Sequence, residues 1–346
     1  QPVTDLDLAT DATPETVIAL AGVAGLKSVP TGLAHGTVTL VVGGKPFEVT
    51  TFRRDVETFG RHAKVAFSTD IAEDAARRDF TMNALYASPG GTLIDPLGGL
   101  PDLRAGHVRF VGDPAARIAE DYLRILRFFR FFAWYGHPEE GLDVQGLAAC
   151  TSARGGLGQL SRERVGAEIA KLLAAPDPAP ALAAMAETGI LDAVVPGADP
   201  GAMSALVAGE VVAGAGPRWQ RRLGVLGDGV DWPDRLRLSK ADARALDGIR
   251  KALAGGWSPA EAAYRVGAEA ARDATLIAGA RNSAKVTADL EAEIARGAAA
   301  RFPLKAADLA PLAGPALGRE LARLEAEWIA GDFMPDAAAL RAKARI

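Results

Sequence analysis

Between residues 38 and 52, the stretch VTLVVGGKPFEVTTF sets two β-rich runs on either side of Gly43-Gly44, the pattern of a tight hairpin. Upstream, ATPETVIALAGVAG (12–25) predicts a short helix with Thr13 as N-cap, Pro14 at its first position and Gly25 near its end. TLIDPLGGLPDLRAG (92–106) predicts a strand and then a turn-rich connection, a hinge or domain boundary. From about residue 113 the period changes. ARIAEDYLRILRFFRFFAWYG repeats its apolar residues at helical spacing, and SRERVGAEIAKLLAA (161–175) opens on Ser161 as a cap with Glu163 close behind. The second half is rich in Ala, Leu, Arg and Glu, is broken by Gly and Pro, and has almost no alternating pattern. The pattern predicts an α/β head on an all-helical remainder.

One segment interrupts that regularity. RRDFTMNALY (77–86) crowds two arginines, an aspartate and an asparagine against Phe80, Met82, Ala84, Leu85 and Tyr86. It reads either as a helix start with Asp79 near the first turn or as a site for a polyanion.

Length and composition narrow the class. A chain of 346 residues with 49% hydrophobic and 24% charged residues has the makings of a globular protein with two or more domains. Its single cysteine, Cys150, excludes an internal disulfide framework and a multi-cysteine zinc site, and fits a reducing cytoplasm. No apolar run reaches membrane-spanning length and no signal-type segment opens the sequence, so no membrane partner is expected. The net charge of −4 argues against holding a polyanion through bulk charge and leaves only a local basic face.

Three places offer chemistry. In TDLDLAT (4–10), Asp5 and Asp7 are two apart and share one face if the segment is a strand. Two carboxylates side by side suit Mg²⁺, which takes oxygen ligands and leaves room for substrate phosphates; a loop capping the following helix is the alternative. Glu48, in FEVTTF, is an acid among apolar strand residues, either a third carboxylate or part of a solvated face. In AEDYLRILRFFRF (119–131), Arg124, Arg127 and Arg130 recur every three residues behind Asp121 on a helix apolar over most of its circumference. Such a stripe faces phosphate oxygens and base edges, or is spent on structural acids such as Glu120 and Glu168. The four histidines, 35, 62, 107 and 137, lack metal-ligand spacing.

The order of these motifs is more telling than any one of them. DLDLAT, HGTVTL, EVTTFRRD, EDAARRDFTMNALY, IDPLGGLPDL, EDYLRILRFFRF and SRERVGAEIAKLL follow one another over the first half of the chain. This resembles the class II tRNA nucleotidyltransferase/poly(A) polymerase family, most closely its bacterial CCA-adding branch. The resemblance implies a polymerase-β-like α+β head with a mixed or antiparallel sheet over residues 1–105. A helical neck that recognises the base would follow over 106–176, and a helical body and tail that bind the tRNA acceptor arm over 177–346. It implies that Asp5 and Asp7 hold two Mg²⁺ ions with Glu48 assisting, that Arg78, beside Arg77 and Asp79, binds the triphosphate, and that Asp121 and Arg124 read the base of CTP or ATP. Arg127 and Arg130 would continue that nucleotide-binding face. The implied reaction is template-independent addition of C, C and A to tRNA by attack of its 3′-hydroxyl on the α-phosphate, releasing pyrophosphate, with no role for DNA.

For the RNA, Arg218, Arg221, Arg222, Arg235, Arg237 and Lys240 form the best local basic cluster, with Trp219 and Trp232 nearby; a solvated helix face is the alternative. The family's opening strand, with its Gly-Gly turn and Arg-Asp pair, is expected upstream of Gln1, and no HD-type hydrolase signature is found in the C-terminal half. A poly(A) polymerase and an inactive RNA-binding module are the rival readings. Residues 57–76 occupy the place of a flexible segment expected of full CCA addition rather than CC addition.

Overall fold

The computed structural model describes residues 6–59, 62–137, 139–282 and 289–345. Its chain contacts divide it into two units, Gln1–Pro196 and Gly197–Ile346.

The first unit begins with strands β1 (Asp7–Thr10), β2 (Lys27–Gly32), β3 (Thr37–Val42) and β4 (Lys45–Thr51), and with helix α1 (Pro14–Val23) between β1 and β2. The spatial order is β1-β4-β3-β2, with β1 parallel to β4 and the other pairs antiparallel. The expected hairpin is present: Gly43 and Gly44 take φ of 57° and 79°, the left-handed pair that a two-residue turn between twisted strands requires. Thr13 caps α1 by accepting the Thr16 N–H, and Pro14 fills its first position. The helix buries Val17 and Ala21 on the side of the sheet that carries fully buried Val38, which leaves the opposite face open.

A hairpin, β5 (Arg53–Phe59) with β6 (His62–Phe67), and helix α2 (Ile71–Ala76) come next. The segment expected to be flexible, 57–76, therefore contributes to β5, β6 and α2; residues 60 and 61 lie outside the described residues. Strands β7 (Tyr86–Ala87) and β8 (Leu93–Ile94) pair, and α3 (Leu100–Ala105) follows. The 92–106 connection is no boundary between units. The Asp95 carboxylate accepts the Gly99 and Leu100 N–H groups at 2.8 and 3.0 Å, and a Cβ on Gly99 would lie 2.1 Å from the Thr81 carbonyl oxygen.

The helical part of this unit comprises α4 (Pro114–Glu120), α5 (Leu123–Tyr135), α6 (Val144–Ser152), α7 (Arg162–Leu173), α8 (Ala179–Glu187) and α9 (Ile190–Val194). The sequence pattern runs as one helical period over 116–136, but the helix breaks at Asp121, whose backbone is extended. Its Oδ1 accepts the Leu123 N–H at 3.1 Å, so the aspartate restarts the chain as a cap. Ser161 stands at the N-cap of α7 but makes no side-chain cap bond. Head and neck are joined by aromatics: Phe80 lies 4.9 Å from both Phe110 and Phe131, and Phe110 stacks on Phe128 at 5.4 Å. α8 packs on α5 and α9 on the turn at 154–159, so the division falls at 196/197 rather than the expected 176/177.

The second unit is helical: α10 (Met203–Val212), α11 (Trp219–Val225), α12 (Trp232–Arg235), α13 (Lys240–Gly255), α14 (Pro259–Val266), α15 (Ala268–Arg281), α16 (Leu290–Ala299), α17 (Gly314–Ala330) and α18 (Ala337–Ala342). One core is built largely of alanines, 252, 262, 263, 271 and 274, with Leu290 and Ile294, and small side chains let these helices approach closely. A second gathers Leu304, Leu309, Leu324 and Leu340 around Trp328, which Tyr264, Phe302 and Phe333 contact at 5.0–5.5 Å between ring centres.

Candidate active site

The open face of the sheet carries acids. Asp7 on β1 is the register partner of Glu48 on β4, and both are exposed. Register partners on adjacent strands project to the same face, so two carboxylates meant for different segments of sequence become neighbours. Thr13 caps α1, which removes the cap alternative for Asp7. Asp5 lies outside the described residues. Among the described residues no group of three or more His, Cys, Asp or Glu side chains is arranged to hold a metal. The pair at 7 and 48 supplies only oxygen donors, which suits a hard divalent cation.

Residues 77–86 do not start a helix. Arg77 ends α2, residues 81–83 form a single 3₁₀ turn, and the Thr81 and Val111 N–H groups bond across to the Arg109 and Asp79 carbonyls at 2.9 and 3.0 Å. Arg78 reaches Asp74 through Nη2 at 2.9 Å and keeps 35% of its side chain exposed. Asp79 goes inward: its carboxylate, 6% exposed, accepts from Asn83 at 3.0 Å and from Arg127 Nε at 2.6 Å. Burial pushes that carboxyl up, but Arg127 and Asn83 outweigh it and hold the group below the usual carboxylate range. Of the three charges that open this segment, Asp79 is tied into the fold by Asn83 and Arg127.

The break between α4 and α5 opens a cleft of about 650 Å³ lined by Ala119, Glu120, Asp121, Tyr122, Gln159, Leu160, Ser161 and Arg164. Arg164 was not among the expected site residues. Its two terminal nitrogens grip both Asp121 oxygens, at 3.2 and 2.6 Å, in a fork-on-fork pair. The signal was present in SRERV, where a second arginine stands one turn into α7. Arg124, expected beside Asp121, instead binds Glu120, the Arg117 carbonyl at 2.7 Å and the Arg77 carbonyl at 3.4 Å. Arg127 takes Asp79, and Arg130 takes Glu168 at 2.6 Å while lying 4.6 Å over the Phe131 ring. The stripe is thus tied to acids of the fold, Glu120 and Glu168 among them. Cys150 is buried, and burial pushes its thiol up, away from nucleophilic chemistry.

The comparisons follow the same division. Residues 1–109 match the family model described as the poly A polymerase head domain, and residues 142–201 match the probable RNA and SrmB-binding site of polymerase A. The CCA tRNA nucleotidyltransferase 1, mitochondrial, of Danio rerio is 44% identical over 170 residues, 49% of this chain and 39% of that protein. The CCA-adding enzyme of Geobacillus stearothermophilus is 41% identical over 199 residues, 57% of this chain and 47% of that protein. The solved structure of the Bacillus stearothermophilus CCA-adding enzyme in complex with CTP superposes with a TM-score of 0.73 at 29% identity, covering 96% of this chain and 85% of that one. In these stretches the chain is similar to proteins of the tRNA nucleotidyltransferase/poly(A) polymerase family. It spans about two-fifths to one-half of the length of these curated relatives.

The expected RNA-binding cluster splits in two, and half of it is corrected. Arg221 and Arg222 are 2% and 1% exposed. Arg222 binds Glu210 at 2.7 Å, Arg221 stands 3.1 Å from Glu210 and 3.5 Å from Asp273, and Arg218 binds Asp273 and, at 2.8 Å, Glu269. These guanidiniums are consumed by buried acids, and those of Arg221 and Arg222 present no face to an RNA. Arg235, Arg237 and Lys240 are exposed, while Trp232 is buried. No helix among the described residues is long and apolar enough to cross a membrane.

Proposed function

We propose that the chain is a template-independent nucleotidyltransferase that adds C, C and A in turn to the 3′ end of tRNA, using CTP and ATP and releasing pyrophosphate, in the cytoplasm. The observation that carries this is the Asp7–Glu48 register on the open face of a head that matches the family model. Asp7 and Glu48, with Asp5 two residues earlier in the sequence, would hold Mg²⁺. When bound, the metal lowers the pKa of the attacking hydroxyl and stabilises charge on the leaving pyrophosphate. Arg78, with 35% of its side chain exposed, binds the triphosphate through its guanidinium.

Asp121, exchanging Arg164 for a base, accepts from the exocyclic amino group that C and A share. Arg124, released from Glu120, donates to the neighbouring ring nitrogen. U and G turn a carbonyl toward Asp121, which leaves acceptor facing acceptor, and that mismatch rejects them. The tRNA acceptor arm is bound by the second unit through phosphate contacts of exposed residues such as Arg235, Arg237 and Lys240.

The test is to incubate the purified chain and Mg²⁺ with a tRNA ending at its discriminator base, with CTP, ATP or both, and to sequence the 3′ ends. Two Cs from CTP and a finished CCA from both is the expected result. Long A tails from ATP would make it a poly(A) polymerase, the reading that the head model's own description favours. No addition would leave an RNA-binding module.

A further inference from the structure

Asp74 is a buried acid of the first unit that accepts three hydrogen bonds, and no step of the reaction above uses it. It is 2% exposed. Its Oδ1 accepts the Arg53 backbone N–H at 3.2 Å, and its Oδ2 accepts the Tyr86 hydroxyl at 2.7 Å and Arg78 Nη2 at 2.9 Å. One carboxylate therefore joins α2, the root of the β5–β6 hairpin, strand β7 and the arginine beyond the end of α2. Tyr86 closes the other side: the Arg78 guanidinium lies 5.8 Å over its ring, and Phe52 meets that ring edge-on at 6.4 Å.

The arrangement is lopsided for a merely structural ion pair. The acid is sunk and triply bonded, whereas the arginine keeps 35% of its side chain exposed and leaves its buried Nε without a hydrogen-bond partner. Burying a carboxylate is costly, and a fold that wanted only stability would do as well with an apolar side chain there. What the buried acid secures is the direction of a half-buried guanidinium. We infer that Asp74 and Tyr86 are positioning residues that aim Arg78 at the phosphates of the incoming nucleotide.

This rests on the reading of Arg78 as a triphosphate ligand. The protonation states agree with it. Burial pushes the Asp74 carboxyl up, but the Tyr86 hydroxyl and Arg78 outweigh that and keep it below the usual carboxylate range. Burial and the bond to Asp74 push the Tyr86 hydroxyl up to about 12, so it stays a donor. Arg78 is held charged throughout, because its pairing with Asp74 more than offsets its burial.

The experiment measures binding of inorganic tripolyphosphate and of CTP to the full chain in Mg²⁺, for wild type, Asp74→Asn, Tyr86→Phe, Arg78→Gln and the Asp74→Asn/Arg78→Gln double variant. Asp74→Asn should weaken both ligands about tenfold and Tyr86→Phe about threefold, while the ratio of C to A incorporated stays that of wild type. In the Arg78→Gln background, Asp74→Asn should cost nothing further, the mark of a residue acting through the arginine. Should Asp74→Asn fail to fold, Tyr86→Phe carries the test, since it removes one bond and leaves the charge. Folded variants that bind tripolyphosphate like wild type, or an undiminished loss in the Arg78→Gln background, would overturn the inference. A wild-type chain that binds no tripolyphosphate would do the same. A chain that binds it but adds nothing to tRNA would sink only the proposed reaction.

Discussion

Two arginine clusters looked alike in sequence and are opposites in space. On α5, Arg124, Arg127 and Arg130 each meet one acid, Glu120, Asp79 and Glu168, and keep 15–28% of their side chains exposed. On α11, Arg221 and Arg222 share Glu210, Arg221 also stands beside Asp273, and the two retain 3% and 1%. Arginine spacing reports only that positive charge is concentrated. The exposure that the guanidiniums themselves retain, more than the depth of their acids, decides whether that charge is part of the scaffold or stands at a surface where a phosphate can compete for it. The acids show it as well: Asp79, paired with Arg127, is held below the usual carboxylate range, whereas burial pushes Asp273 up to about 6 despite Arg218 and Arg221 beside it.

The contrast is tested most severely by Arg222→Ala. Removing one partner of a fully buried pair leaves Glu210 to Arg221 alone, and the expected cost is about 3–5 kcal/mol of stability, read from urea unfolding. Nucleotide addition per folded molecule should be unchanged. A stable variant with weakened tRNA affinity would put this cluster back among RNA contacts. Arg124→Ala should do the reverse: a smaller loss of stability, and a fall of about 10- to 100-fold in kcat/KM for both CTP and ATP, some 1.4–2.7 kcal/mol. Equal kinetics with and without the guanidinium would leave Arg124 as a strut between Glu120 and the carbonyls it holds.

Much of the first unit was legible because its signals are local. Gly43-Gly44 admits few conformations other than a hairpin turn, and Thr13-Pro14 marks a helix start by capping chemistry alone. The neighbourhood of Asp7 and Glu48 was only half legible, since no periodicity tells which strand lies beside which. The parallel β1–β4 pairing creates it. The break at Asp121 was missed because apolar spacing runs on through it, while the deciding event is one carboxylate capping Leu123. Arg164 and Asp74 escaped for a related reason: the partner of one lies 43 residues away, and those of the other include residues on two separate strands, β5 and β7. In the second unit, the burial of Arg221 and Arg222 depends on Glu210 and Asp273, acids that nothing in the local sequence joins to α11.

The smallest effect sharpens the comparison most finely, because it has a sign. The Asp273 carboxyl titrates at about 6 in the folded chain against 3.8 for the free group. Between those values the folded chain holds a proton that the unfolded chain has released, so this residue makes stability fall as pH rises through that window, with no further change above it. Asp79 and Asp74, with lowered pKa values, act the other way: they contribute stability above 3.8 that is lost as pH falls through their folded values. Asp273→Asn imitates the protonated acid. Its melting temperature should therefore gain on that of wild type as pH is raised from about 4 to about 6, and the difference should then stay level. A difference that runs the opposite way would mean that Arg218 and Arg221 prevail over burial. Asp273 would then be an ordinary paired carboxylate, and the two clusters would differ in depth alone.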